Sequence, residues 1–267
     1  MHRPNRIKRA SKLTGADVMA LANDELLLLV VEDFYPQDAC RRFSDKILGS
    51  QSVERYTHEI VVDGKLEQQY FGVDRLGQPF NATYGAAPGS EAFELYYRSV
   101  EPAREGMRGL ARPAVTPIDK LRLELDEQCP HGATVACFQG RKMLTGIARV
   151  TRAAYSKLSA EQPHFDALPE KYAVLDAQLA ANIYLAVPST GGELEVWDVP
   201  PLHPLATTAA DWRAELPTSI KVQPRLGELI LFNCRRPHAV GAFAGADRVS
   251  AQAFIGYRRH ERLQLWN

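Results

Sequence analysis

Leu179-Ala180-Ala181-Asn182-Ile183-Tyr184-Leu185-Ala186-Val187, then Thr190-Gly191-Gly192, then Glu193-Leu194-Glu195-Val196-Trp197, is the stretch on which the fold reading turns. Two short apolar runs flank a glycine turn signal, the pattern of neighbouring strands. Alternate residues divide the first run. Ala181, Ile183, Leu185 and Val187 make one uniformly apolar face, which reads as core. Ala180, Asn182, Tyr184 and Ala186 make the other, and its polar pair points to the interior of a barrel.

The same texture extends outward. Further β-like runs stand at 147–152, 219–222, 228–232 and 247–257, with Leu226-Gly227 as another turn signal. Upstream the pattern is different. Leu26–Val31 reads as a strand, and Asp33-Phe34-Tyr35-Pro36 as a helix entry with Pro at the first helical position. Ala39, Phe43 and Ile47 give that helix its apolar face, and Gly49 ends it. Ile60-Val61-Val62, Asp63-Gly64 and Lys65-Leu66 read as a hairpin. Ser90 caps a helix to about Val100, which Pro102 interrupts or kinks. Thr116-Pro117-Ile118-Asp119 opens another, with Ile118, Leu121 and Leu125 buried and Cys129-Pro130 closing it.

Helices first and then many short strands predict a mainly β protein with packing helices. The core is a double-stranded β-helix (jelly-roll, cupin-like), with an α-helical N-terminal part. A single domain over 1–267 is expected. It comprises a basic flexible arm (1–20), an α/β N-terminal support with substrate-covering elements (21–136) and a jelly-roll catalytic core (137–258). The longest interruption, Val199–Thr218, holds Pro200-Pro201 and a short helix around Asp211-Trp212-Arg213. Loops of that length are often lids.

Bulk composition narrows the partners. Hydrophobic residues are 45% and charged residues 24%, ordinary for a folded domain. Lys+Arg and Asp+Glu are both 32, so no basic field argues for nucleic acid. Cys40, Cys129, Cys137 and Cys234 form no CxxC pair and read as free thiols in a reducing, cytoplasmic setting. No signal-type apolar stretch follows the basic start, and Leu26–Val31 is too short to cross a bilayer. The expected partner is a small molecule, with no nucleic acid and no membrane. Oligomeric state is not legible.

Chemistry concentrates in His164-Phe165-Asp166, followed by His238 in Arg236-Pro237-His238-Ala239-Val240, then Arg248 and Ser250. Residues two apart on a strand share a face, so His164 and Asp166 can reach one ion, and His238 on a facing strand would complete the set. Two imidazoles and one carboxylate leave half of an octahedral ion's positions open, the ligand set of non-haem Fe(II) oxygenases. A His-x-Asp alone is common by chance. The ordered series, with Arg ten residues past the last ligand, carries the reading. His2, His58, His131, His203 and His260 have no partners at useful spacing.

From Gln162 to Tyr257 the chain resembles the catalytic double-stranded β-helix of the Fe(II)/2-oxoglutarate-dependent oxygenases. The matching segments are Pro163–Asp166, Asn182–Leu185, Gly191–Leu194, Gly227–Phe232, Pro237–Val240 and Arg248–Ser250. The layout is similar to the prolyl-hydroxylase-like branch and to small-molecule amino-acid hydroxylases with their halogenase relatives. The resemblance implies Fe(II) held by His164, Asp166 and His238, with 2-oxoglutarate and O2 as co-substrates. It places Arg248 at the distal carboxylate of 2-oxoglutarate, with Tyr184 as a donor, and Ser250 and Asn182 sharing the pocket. Related halogenases carry Gly or Ala where this chain has Asp166, so hydroxylation is expected. Desaturation or cyclisation uses the same triad.

Substrate contacts lie outside the resemblance. Arg149 and Thr151 share one strand face and Arg152 takes the other, and an inward Arg could hold a carboxylate or phosphate. Tyr70–Arg75 and Pro79–Tyr84 could cover the barrel mouth, which makes Tyr70, Arg75 and Asn81 candidates. Trp197 and Trp212 could line or cap it. A free amino acid or an amino-acid-derived natural-product intermediate is the expected substrate. A peptidyl or protein hydroxylase and a non-catalytic cupin-like metal-binding module are the competing readings.

Overall fold

The computed structural model describes residues 6–62, 65–159, 162–208 and 212–267. The strands that position the site begin with β1 (Ile7–Ala10), β2 (Leu28–Val31), β3 (Glu54–Val62) and β4 (Lys65–Leu76). They continue with β5 (Ala133–Val135), β6 (Ile147–Thr151), β7 (Ala177–Ala186), β8 (Leu194–Val196) and β9 (Ile220–Val222). The last four are β10 (Leu229–Asn233), β11 (His238–Val240), β12 (Arg248–Tyr257) and β13 (Leu263–Trp266). Helices are α1 (Gly15–Ala22), α2 (Gln37–Leu48), α3 (Glu91–Ala111) and α4 (Pro117–Gln128).

A ten-stranded sheet runs β1-β2-β10-β7-β12-β6-β4-β3, with β13 beside β12 and β5 beside β13. A three-stranded sheet, β9-β8-β11, faces it. The two make a jelly roll, as the run of short strands predicts. The two longest central strands, β7 and β12, are antiparallel and buried along nearly their whole length. Leu179, Ala181, Ile183 and Leu185 belong to the core together with Val249, Ala251, Ala253 and Ile255. Helices α1 and α2 lie against β7, and α4 against β12, so this apolar layer is covered on its outer side. Gly191 turns the chain out of β7 at φ +76°, where an added Cβ would collide with the Ala242 carbonyl.

Several local expectations need correction. Pro36 is the residue before α2 rather than its first helical residue. Helix α3 is not interrupted at Pro102, an exposed position, and continues to Ala111. Ser90 precedes α3, but its hydroxyl makes no capping bond. Thr116 does cap α4, its hydroxyl accepting from the Asp119 N–H. The Asp63-Gly64 turn lies outside the described residues, while Val62 and Lys65 are paired on either side of it.

The flexible arm is the largest correction. Residues 1–5 lie outside the described residues, but the rest of the segment is folded. Strand β1 adds in parallel to β2, and α1 buries Val18 and Leu21. Its cations are paired: Arg6 with Asp24 and Asp198, Lys8 with Asp17, Arg9 with Glu228. A basic run looks solvated in sequence because acids 9 to 219 residues away cannot be seen as its partners. Strands on both sides of 137–258 likewise complete the main sheet, from β1 to β13.

Candidate active site

His164 lies in an extended segment joined to β11 by one bridge pair, not within the strand its spacing suggests. Its N–H donates to the His238 carbonyl at 3.0 Å and its carbonyl accepts from the His238 N–H at 2.8 Å. Pro163 and Pro237 precede the two partners, and neither has an N–H with which to lengthen the ladder. The Asp166 N–H donates to the Cys234 carbonyl at 2.8 Å. Three backbone bonds thus fasten the His164–Asp166 segment to the β10–β11 turn.

The side chains converge. One ligand atom from each of His164, Asp166 and His238 lies within 4.8 Å of the others. Asp166 Oδ2 is 3.4 Å from His238 Nε2, and the two imidazole centroids are 4.3 Å apart. His164 Nδ1 lies 3.2 Å from the Gln162 carbonyl, and His238 Nδ1 lies 2.9 Å from the Arg236 carbonyl. A carbonyl only accepts, so each Nδ1 carries the proton and each Nε2 keeps its lone pair for an ion. Burial and the neighbouring His238 pull the His164 pKa down to about 4, so the imidazole is neutral at pH 7. Burial alone would push Asp166 up. The adjoining imidazoles, His238 foremost, and the Arg149 charge outweigh it and hold the carboxyl at about 2. The donor set fits Fe(II).

A cavity of about 110 Å³ opens between the two sheets at this cluster. Of the expected co-substrate residues, Arg248, Ser250 and Asn182 line it. Arg248 is 7% exposed, and its Nη2 donates to the Tyr184 hydroxyl at 3.2 Å. Tyr184 is fully buried behind that guanidinium and reaches the site through it. Arg248 Nε is a buried donor without a protein partner, so the fork can still receive a carboxylate.

The substrate candidates divide. Arg149 lines the cavity, as does Thr151 from the same strand face. Arg152 does not; it is held outside by Asp74 and Asp247. Tyr70 donates to Asp74 and packs edge-on against Tyr155, away from the cavity. Arg75 pairs with Glu54 and the Gly77 carbonyl in a separate surface depression. Asn81 is also off the lining and bonds Tyr56, whose ring lies 6.0 Å from the Arg149 guanidinium. Trp197 is buried under the Arg213 guanidinium rather than in the pocket. The loop holding Trp212 is tied to the site from outside: its indole N–H donates to the Pro163 carbonyl at 3.1 Å. The turn within that loop is the 3-10 segment Trp212–Glu215, and Asp211 lies outside the described residues.

Sequence reading missed Gln252, Val73, Leu194, Phe232 and Val240, all on the cavity wall. Gln252 was within reach, since it continues the alternation of Arg248 and Ser250. The apolar four carry no signal separating a cavity wall from ordinary core.

Comparison with known proteins agrees with this geometry. Residues 150–256 match the model of the 2OG-Fe(II) oxygenase superfamily. An N-substituted L-amino acid dioxygenase from Burkholderia ambifaria AMMD, in complex with α-ketoglutarate, is similar in structure. It has a TM-score of 0.59 at 14% identity, covering 95% of this chain and 91% of that one. A second structure of an N-substituted L-amino acid dioxygenase from that organism gives 0.58 at 15% identity, covering 96% and 92%. No curated protein matches by sequence. Over residues 150–256, which hold His164, Asp166, His238 and Arg248, the chain is similar to the 2OG-Fe(II) oxygenases. It is a non-haem Fe(II)- and 2-oxoglutarate-dependent dioxygenase, with O2 as the second co-substrate. Among the described residues no helix is long and apolar enough to cross a membrane.

Proposed function

We propose that this enzyme hydroxylates an unactivated C–H bond of a small molecule, an amino acid or an amino-acid-derived intermediate, with release of succinate and CO2. The observation that carries the reading is one cavity holding the His164/Asp166/His238 cluster together with Arg248. Asp166 fills the carboxylate position, which leaves no space for a halide ligand in its stead. Fe(II), with 2-oxoglutarate and O2, supplies the oxidising chemistry.

The chain's own groups do the rest. His164, Asp166 and His238 hold the ion, the two imidazoles oriented by the Gln162 and Arg236 carbonyls. Arg248 receives the distal carboxylate of 2-oxoglutarate, while Tyr184, Ser250 and Asn182 orient it. Phe232, Leu194 and Val240 keep that end of the cavity apolar. The substrate class is supported by the dioxygenases of similar fold, which act on N-substituted L-amino acids. The test is a screen of amino acids, their derivatives and short peptides with Fe(II) and 2-oxoglutarate under air. Stoichiometric succinate and a product heavier by one oxygen atom support the reading. Turnover confined to peptides would move the enzyme to the peptidyl hydroxylases, and a product lighter by two hydrogens would make it a desaturase or cyclase.

A further inference from the structure

The charges of this cavity do not balance when its iron and 2-oxoglutarate are counted. Among its lining residues the charged side chains are Asp166, Arg149 and Arg248. Both guanidiniums keep their charge at any working pH. Fe(II) contributes two positive charges and 2-oxoglutarate two negative ones. Asp166 offsets one arginine, and one positive charge is left over.

Arg149 is where that charge resides. Arg248 has the 2-oxoglutarate carboxylate as its partner, whereas Arg149 makes no ion pair with a carboxylate among the described residues and feels Asp166, the ion's ligand, only through space. Its Nη1 donates to Gln252 Oε1 at 3.0 Å, a neutral amide that orients the fork without cancelling its charge. The Tyr56 ring, 6.0 Å away, contributes a π face and no counter-charge. Arg149 faces Ser250 across the ladder and Arg248 faces Thr151, so the two cations sit two positions apart on adjacent strands. Like charges that close each require their own anion. Arg152, on the other strand face, shows the contrast: Asp74 and Asp247 neutralise it.

The acid side of the count is as restrictive. Asp166 is the one acidic residue among the described residues lining the cavity, and the ion and His238 take up its oxygens. A substrate ammonium would therefore find no carboxylate partner there, while adding a second unbalanced positive charge. Resting on the oxygenase reading above, we infer that Arg149 is the specificity residue that receives the substrate's carboxylate. The primary substrate enters as a monoanion with no free ammonium group, such as an N-acylated amino acid or a simple carboxylic acid.

The test uses the whole protein loaded with Ni(II) and 2-oxoglutarate, with binding followed by calorimetry. The probes are the N-acetyl derivatives of the twenty common amino acids, the matching N-acetyl amides and the free amino acids. The best N-acetyl acid should bind on the order of 30-fold or more tightly than its amide and than its free amino acid. Arg149→Gln should erase that preference, with the loss falling on the acid's Kd rather than on that of 2-oxoglutarate. Arg149→Lys should recover part of it. The inference is overturned if no N-acetyl acid binds, if amide or zwitterion binds as well as the acid, or if Arg149→Gln weakens 2-oxoglutarate instead. Anaerobic absorbance of the Fe(II) protein with 2-oxoglutarate tests the parent reading separately. Its absence removes the oxygenase assignment; its presence beside indifferent acid and amide binding removes only the role of Arg149.

Discussion

Replacing Arg248 should raise the Kd for 2-oxoglutarate far more than it disturbs the fold. The guanidinium is 7% exposed, so its pairing with a carboxylate is largely desolvated. Removing one partner of such a pair costs about 2–5 kcal/mol, or roughly 30-fold to several thousand-fold in affinity. Two neutral groups remain nearby. Ser250 shares the pocket, and the Tyr184 hydroxyl accepts from Arg248 at 3.2 Å, which leaves its own hydrogen free to donate. They place the expected loss for Arg248→Ala in the lower half, on the order of 30–300-fold. Arg248→Lys keeps the charge but not the planar fork, and about 10-fold is expected. Tyr184→Phe removes one neutral donor and should cost about 1 kcal/mol, roughly fivefold. Anaerobic titration of the Fe(II) protein with 2-oxoglutarate gives each Kd, and thermal melting shows whether each variant is folded. A folded Arg248→Ala protein with unchanged Kd would refute the co-substrate assignment.

Three further outcomes are expected. Asp166→Ala should abolish succinate-coupled product, measured by mass spectrometry; undiminished product removes Asp166 from the ligand set. Glu195, buried on β8, would have its pKa raised by burial, but bonds from Ser219 and Arg213 hold it below the ordinary carboxylate value. A depressed folded pKa stabilises above the unfolded value of about 4.3 and is lost as pH falls through the folded one. Glu195→Gln should therefore lower stability to urea at pH 7, and the gap from wild type should close as pH falls below about 4.3; a gap independent of pH contradicts the assigned charge. Gly191→Ala should cost more than about 2 kcal/mol, through positive φ and the collision with the Ala242 carbonyl, read from the shift of the urea midpoint.

What the sequence made legible follows from the range of each interaction. Strand alternation is local, so β7 and β12 were readable residue by residue, and with them the inward placement of Asn182, Arg248 and Ser250. The cap at Thr116 is a contact three residues long and was readable too. Pro102 misled because the cost of a proline within a helix depends on its surroundings, and here it stands at an exposed position of α3. Arg149 and Arg152 looked equivalent. Only the tertiary placement of Asp74 and Asp247 separates a neutralised arginine from one left charged in the cavity.

The folded N-terminal segment has a consequence for the metal centre. The Arg236 carbonyl accepts from His238 Nδ1 and so fixes which nitrogen that imidazole presents to the cavity. The Arg236 side chain, 1% exposed, is held by Asp24 and Asp198, and the same two acids bind Arg6 at the start of β1. Two cations and two anions from three distant stretches thus close one network beside the β10–β11 turn. A buried guanidinium is costly unless it is paired, and Arg236 is paired by Asp24 and Asp198, with the Val199 carbonyl accepting as well. Arg6, one of the basic residues that looked like a solvated tail, thus shares both of its acids with Arg236, two residues before His238.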